Sequence, residues 1–485
     1  MSEVPLFQVQ NEEQNNNSSG NQNNNNITRT KSKRIEALDA FRGLTVIVMI
    51  LVDNAGGAFP EIDHSPWNGI TLADTVMPSF DFIVGCSVAL SFSKFHRDAD
   101  SIYIGFQKAT IRFFKIFFLG MFTQGGKGIA DYDMKHIRIM GILQRVAVCY
   151  YIAAICELYG HYWCCSKRRK KYGMSHIGVF YSTAAHWFVA LLLCITWFAI
   201  MYGVNVPATY EGITECGYGK LTVPCNAQRV VDEAIFGVEH MYYPTNGGDK
   251  EGRGMTFQRM PECSTCSPGL CTAPQNKNGT GLLHPWCETA AFDPEGFVSQ
   301  LTAAAGTLTG VHVGKVLTEF RSEQHRQRIT HWLWFSIPCL TIGLILQATN
   351  VMPLNTDLFT ISFLLVTTGM DGLLVCFWYT VTDIMQFKTI SAPFIWVGKN
   401  ALAIYVGAES GIIQWFLSIF YWDTPDNSLG SLLWPGVFWG VQSSDLERLT
   451  KNTYDISILL WTIGYIILWI LVARWMHMKK IYIKI

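Results

Sequence analysis

The chain has 485 residues, a formal net charge of zero, 15% charged residues and 49% hydrophobic ones. A soluble domain carries about a quarter of its residues as Asp, Glu, Lys or Arg, so this composition, with a mean hydropathy of +0.20, excludes an ordinary water-soluble fold. The neutral balance also leaves no basic footprint for nucleic acid.

Residues 1–34 are polar and Asn-rich, with no apolar core of a cleavable signal. They read as a disordered tail that cannot bury enough apolar surface to fold. Residues 35–485 then form one membrane domain. Runs such as LTVIVMILV, WFVALLLCITWFAIMY and ISILLWTIGYIILWILVARW approach the roughly 20 residues that cross a bilayer core. They are not the short alternating segments of a β-barrel. The expectation is an all-α fold: a polytopic membrane helix bundle of about ten transmembrane helices. The spans fall near 36–56, 74–93, 104–124, 138–160, 184–203, 296–317, 331–349, 357–381, 393–420 and 454–475.

Basic residues sort by side. Arg29, Lys31, Lys33 and Arg34 precede the first span, Lys94 and Arg97 follow the second, KRRKK follows the fourth, and Lys479, Lys480 and Lys484 end the chain. The positive-inside rule makes that side cytosolic and predicts both termini there. The sequons at Asn16, Asn17 and Asn26 then face the wrong side for glycosylation. The long loop 204–295 falls on the opposite, luminal side and holds Cys216, Cys225, Cys263, Cys266, Cys271 and Cys287. Their even number in an oxidising compartment favours disulfides. A zinc reading of ECSTCSPGLC stands beside it, and no metal is expected. Asn278-Gly-Thr in the same loop is a sequon on the correct side for a sugar.

Ionisable groups inside spans are costly unless paired, so each is a functional suspect. Asp39 and Arg42 share a helix face in EALDAFRG. They read either as a local ion pair or as an anion site for a cytosolic phosphate-bearing ligand. Gln144 and Arg145 lie inside the fourth span; the arginine needs a bound anion or an acidic partner such as Asp74, Asp81 or Glu157. The connection LVDNAGGAFPEIDHSPWNGITLAD carries Asp53, Asn54, Asp63, His64, Trp67, Asn68 and Asp74. Gly56 and Gly57 would let the chain break out of the first span. His64 suits proton transfer near neutral pH. Asn54 could donate to a developing oxyanion. Trp67 offers a flat face for a sugar ring, and Asp74 could orient an imidazole or hold a cationic amine. The plainer reading makes His64 a loop histidine and Asp74 a helix N-terminal acid.

An ordered set of segments carries a more specific signal. LDAFRGLTVIVMILVDNAGG, HSPWNGITLADTVMPSFDFIVGCS, HIRIMGILQRVAVCYYIAAICEL, FDPEGFVSQLTAAAGTLTGVHVGKVL, VGKNALAIYVG and KKIYIKI follow one another. Together they closely resemble the transmembrane acetyltransferases typified by lysosomal heparan-alpha-glucosaminide N-acetyltransferase. The resemblance runs from about residue 35 to the end. It implies acetyl transfer from cytosolic acetyl-CoA, across the membrane, to a terminal glucosamine amine of a glycosaminoglycan. It puts the catalytic histidine at His64 and the neighbouring active-site asparagine at Asn54. The chain departs from the family in three ways. It is expected to begin at the catalytic core, without the family's luminal N-terminal domain. Loop 204–295 is richer in cysteine, and Ala408, followed by Glu409, stands where family members can carry a histidine. These departures bear on the acceptor.

The reading is therefore an acetyl-CoA-dependent acyltransferase acting on an amine or hydroxyl of a luminal saccharide, in a lysosome, vacuole or plasma membrane. His64 and Asn54 are the catalytic candidates. Asp53, Trp67, Asn68 and Asp74 are the acceptor-binding candidates. Arg42, Gln144, Arg145, Lys399 and Asn400 are the CoA-binding candidates. Acetyl-CoA is a co-substrate, with no permanently bound cofactor expected; a homodimer is compatible. The alternatives are a multi-pass transporter of a sugar or small anion, and a non-catalytic membrane scaffold.

Overall fold

A computed structural model describes residues 35–124 (without 57, 60, 66 and 96–98), 137–164, 175–207, 216–241 (without 223–224 and 238–239), 292–424 (without 322), 428 and 451–483. The Asn-rich tail, Gly57, Cys263, Cys266, Cys271, Cys287 and Asn278 lie outside the described residues. What is described is helical, and a helix lies at each of the ten expected positions. In chain order these are α1 (Glu36–Ala55), α2 (Leu72–Phe92), α3 (Ala99–Gln124), α4 (Ile142–Cys164), the short α5 (His176–Ser182) and α6 (Ala184–Gly203). Then come α7 (Ala227–Phe236), α8 (Phe297–Glu319), α9 (His325–Ala348), α10 (Ile361–Trp378), α11 (Lys388–Lys399), α12 (Ala401–Glu409), α13 (Ile412–Ser418) and α14 (Lys451–Met478).

The count of ten spans is not confirmed. Six described helical segments are long and apolar enough to cross a membrane by length and composition: Leu72–Phe92, Ile142–Gly160, Ala184–Gly203, His325–Ala348, Ile361–Ile384 and Ile458–Met478. α1 and α3 carry more charge than such a span tolerates. The expected ninth span, 393–420, is three short helices. Asn400 leaves helical geometry between α11 and α12, and Gly411 takes a left-handed φ of 62° before α13. The Asn400 side chain instead holds the C-terminal segment, donating to Ile481 O at 3.2 Å and accepting from Ile483 N at 3.2 Å.

α8 is the centre of the bundle, buried along nearly its whole length. Its small-residue run lets α2 approach backbone to backbone. A Cβ at Gly310 would lie 2.1 Å from Phe82 O, and one at Gly85 would lie 2.0 Å from Thr307 O. Chain reversals gather the end of α1 and the starts of α2, α4, α8 and α10 at one end of the bundle. Loops 56–71, 292–296 and 349–360 meet there, tied by Gly69 N to Leu354 O (2.8 Å) and Arg145 Nη2 to Pro294 O (2.7 Å). Arg42, Lys399 and the C-terminal segment sit toward the other end.

Candidate active site

The first turn of α2 builds the site. Thr71 and Asp74 form a capping box, in which the acid at the third helical position satisfies free N–H groups of the helix start. Asp74 Oδ2 accepts from Thr71 N (2.9 Å), Thr71 Oγ1 (3.0 Å) and Ser65 N (3.2 Å). Its other oxygen meets His64 Nδ1 at 2.9 Å. So both readings of Asp74 hold at once: it is a helix-start acid, and it orients the imidazole. A carboxylate can only accept, so Nδ1 carries a proton, and Nε2 presents a lone pair once the ring is neutral. The Asp74 side chain is fully buried, whereas the His64 side chain is 61% exposed. Nε2 bonds no described residue. Ser65 Oγ, buried beside it, also has no partner among the described residues.

The surroundings are acidic. Burial alone would lower the His64 pKa, but the hydrogen bond and charge of Asp74, then Asp357 and Asp63, lift it to about 9. Asp357 lies in the 349–360 loop. Burial, and then the Asp74 charge, hold its carboxyl well above the usual range. Behind the site, Arg138 binds Asp293 Oδ1 at 2.7 Å and also Glu295. Burial would raise Glu295, but Arg138 and then Arg145 draw its pKa down. Arg145 Nη2 reaches Ser299 Oγ at 2.6 Å, while its Nε has no partner among the described residues. The guanidinium lies 5.3 Å from the Phe359 ring centroid.

Of the candidates read from sequence, His64, Asp74 and Asp63 come together: Asp63 Oδ1 accepts from His64 N at 2.8 Å. Asp53 is exposed at the end of α1. Asn54 uses one amide proton on Ile50 O at 2.7 Å and makes no hydrogen bond to His64. Asn68 accepts from Asn355 Nδ2 at 3.3 Å, tying the two loops. One expectation needs correction. Trp67 offers no flat face to a sugar: it is 5% exposed, donates to Leu221 O at 2.8 Å and meets Phe292 edge-on. Gly56 caps α1, which ends at Ala55, and does so without a left-handed turn, its φ being −55°. Its missing side chain instead admits Asp63, whose Oδ1 would stand 3.2 Å from a Cβ.

The CoA candidates divide. Arg42 pairs with Asp39 at 3.2 Å, bonds Ser87 Oγ at 2.7 Å and reaches Gly398 O, beside Lys399 and Asn400. Gln144 and Arg145 sit at the His64 end instead. Of the expected disulfide cysteines, Cys216 and Cys225 are bonded to each other. Sequence reading passed over Asp357, Arg138, Asp293 and Glu295. The acids of FDPEGF, just before an apolar run, were the available signal for the last two.

Residues 34–166, which contain His64, Asp74 and Arg145, match the family model described as heparan-alpha-glucosaminide N-acetyltransferase, catalytic. The match covers little more than a quarter of the chain. The mouse (Mus musculus) heparan-alpha-glucosaminide N-acetyltransferase is 25% identical over 475 residues, covering 94% of this chain and 61% of that protein. The human (Homo sapiens) protein of the same name is 25% identical over 471 residues, covering 93% and 60%. The chain thus spans about three-fifths of the length of these relatives (61% and 60%).

Proposed function

We propose that the chain is a membrane-embedded acetyltransferase. It takes acetyl from acetyl-CoA and passes it to an amine or hydroxyl of a saccharide on the other face of the membrane. The observation that carries this is the His64–Asp74 pair, lying within the segment that matches the catalytic family. Asp74 fixes the imidazole so that Nε2 is free to act. In the direct route, the acceptor nitrogen attacks the thioester carbonyl carbon. The N–C bond forms, Nε2 takes the acceptor proton, the C–S bond breaks, and the CoA thiolate is protonated. In the covalent route, Nε2 itself attacks the thioester carbonyl: the N–C bond forms, the C–S bond breaks and CoA leaves as its thiol; the acceptor nitrogen then attacks the acetyl carbon, the imidazole N–C bond breaks, and the acceptor proton passes to the freed ring. Asp63, whose carboxylate accepts from His64 N, makes the surroundings attractive to a protonated sugar amine. This favours an amine, of the glucosaminide kind named for the relatives, over a hydroxyl.

Asn54 would meet the oxyanion with its remaining amide proton, and Asn68 would hold the loop that faces the acceptor. Arg42, Lys399 and Asn400 would receive the phosphates of CoA from the opposite end. Gln144 and Arg145 would act nearer the acetyl end. The termini would lie in the cytosol, with the protein in a lysosomal or related endomembrane, alone or as a homodimer.

The test is turnover of labelled acetyl-CoA with glucosamine-terminated acceptors by purified wild-type protein and His64→Ala. General acid–base removal costs about 10²–10⁴-fold. We expect a loss of at least that size with an unchanged elution profile. Retained turnover in folded His64→Ala sinks the assignment.

A further inference from the structure

α3 is 26 residues long and lies between apolar spans, yet it fails as a simple span because of its charge. Lys108, Arg112 and Lys115 follow one another at helical spacing and so share one face. All three are exposed. They line a groove of about 330 Å³ between α3, the end of α2 and α4, with Ser91, Phe95 and Tyr150 opposite. That volume is at the lower end of the roughly 300–1,000 Å³ of ligand sites. Among the described residues, none of the three forms an ion pair with a carboxylate.

Three exposed cations on a bundle's outer face are costly in lipid. Snorkelling relieves that cost when a long side chain is free to reach the interface. Here two of them are held against the groove wall. Arg112 stacks on the Tyr150 ring at 4.7 Å and hydrogen-bonds its side chain; Lys108 lies 5.3 Å from the Phe95 centroid. The cations therefore stay in the groove and call for an anion. The same helix exposes Ile111, Phe114 and Phe118. A charged head with apolar tails matches that surface; a soluble phosphate ester would use the cations alone.

We infer that this groove is a binding site for an anionic phospholipid. Its phosphate sits among Lys108, Arg112 and Lys115, and its acyl chains run along Ile111, Phe114 and Phe118. Basic pockets between membrane helices bind such head groups by the same electrostatics. The site is separate from His64, and the inference stands whether or not the chain transfers acetyl groups.

The experiment uses the full chain in nanodiscs of phosphatidylcholine with a minor share of phosphatidylglycerol. Native mass spectrometry counts the lipids that remain bound after release. Wild type is expected to retain phosphatidylglycerol over phosphatidylcholine. The double variant Arg112→Gln, Lys115→Gln should lose that preference by roughly tenfold. Arg112→Lys with Lys115→Arg should keep it, which separates lost charge from lost fold. Glycerol 3-phosphate, carrying the phosphate without the chains, should fail to displace the lipid. No phosphatidylglycerol preference in wild type overturns the proposal without recourse to any variant. So does equal retention by the Gln variant, or displacement by glycerol 3-phosphate at matched concentration.

Discussion

His64 illustrates how one residue can carry two opposing effects of the same partner. Asp74 orients the ring and also stabilises its charged form. With a folded pKa of about 9, above the ordinary value near 6.5, the resting ring is protonated at neutral pH. The sign follows from linkage. A raised folded pKa contributes stability that is complete below about 6.5 and is lost as pH rises through about 9. Activity needing neutral Nε2 runs the other way and climbs over that window. Asp74→Asn removes the anion while keeping the size of the side chain. We expect the acid limb of its pH–rate profile to move down, toward about 6.5, with a lower plateau because the ring is less well oriented. An acid limb that stays where it is in wild type would separate Asp74 from His64 titration. Trp67 teaches the converse lesson. A tryptophan next to a catalytic suspect reads as a sugar platform, but its indole N–H found a carbonyl 154 residues away, at Leu221. Which face of an aromatic ring is covered depends on such distant partners, and no local spacing reveals it.

At the scale of elements, apolar runs of span length fixed where helices lie, because a bilayer leaves the backbone few other ways to satisfy its hydrogen bonds. What they concealed was continuity. The run 393–420 is apolar enough to read as one helix, but its break at Asn400 depends on a side chain that bonds Ile481 and Ile483, far away in sequence. Depth was better encoded than it was used. The ten-span topology starts the fourth span at the luminal side, so Gln144 and Arg145, near its beginning, belong with His64. Small residues mark where helices touch. Gly310→Ala would set a Cβ 2.1 Å from Phe82 O, a backbone atom that cannot rotate away. Overpacking costs about 1–3 kcal/mol, and this contact belongs at the upper end. Gly464→Ala meets nothing within 4 Å. In thermal melts of detergent-solubilised protein we expect Gly310→Ala to lower the midpoint by several degrees. Gly464→Ala should leave it unchanged or slightly raised. Equal behaviour of the two would mean that α2 and α8 are not in backbone contact.

For the whole molecule, the two ends of the bundle have different chemistry. One end gathers His64, Asp74, Asp357, Glu295 and Arg145, where charges offset one another around an exposed imidazole. The other holds Arg42, Lys399 and the C-terminal segment. Transfer across a membrane requires this kind of asymmetry, because donor and acceptor never share a compartment. The proposal therefore predicts sidedness. In proteoliposomes of uniform orientation, acetyl-CoA supplied on the Arg42 side and an amino sugar on the His64 side should give product. Reversing the two should give none, since neither substrate crosses the bilayer unaided. Arg42→Gln should raise the KM for acetyl-CoA and leave that for the acceptor unchanged, because a cation bound to phosphate acts at one end only. Cys216–Cys225 supplies an independent marker of orientation, since a disulfide persists only on the oxidising side. A membrane-impermeant reductant should reach it from the side where the amino sugar is accepted. Access from the acetyl-CoA side instead would put acetyl-CoA on the His64 face, since Trp67 ties the His64 loop to Leu221 inside the disulfide loop, and would end the cross-membrane reading.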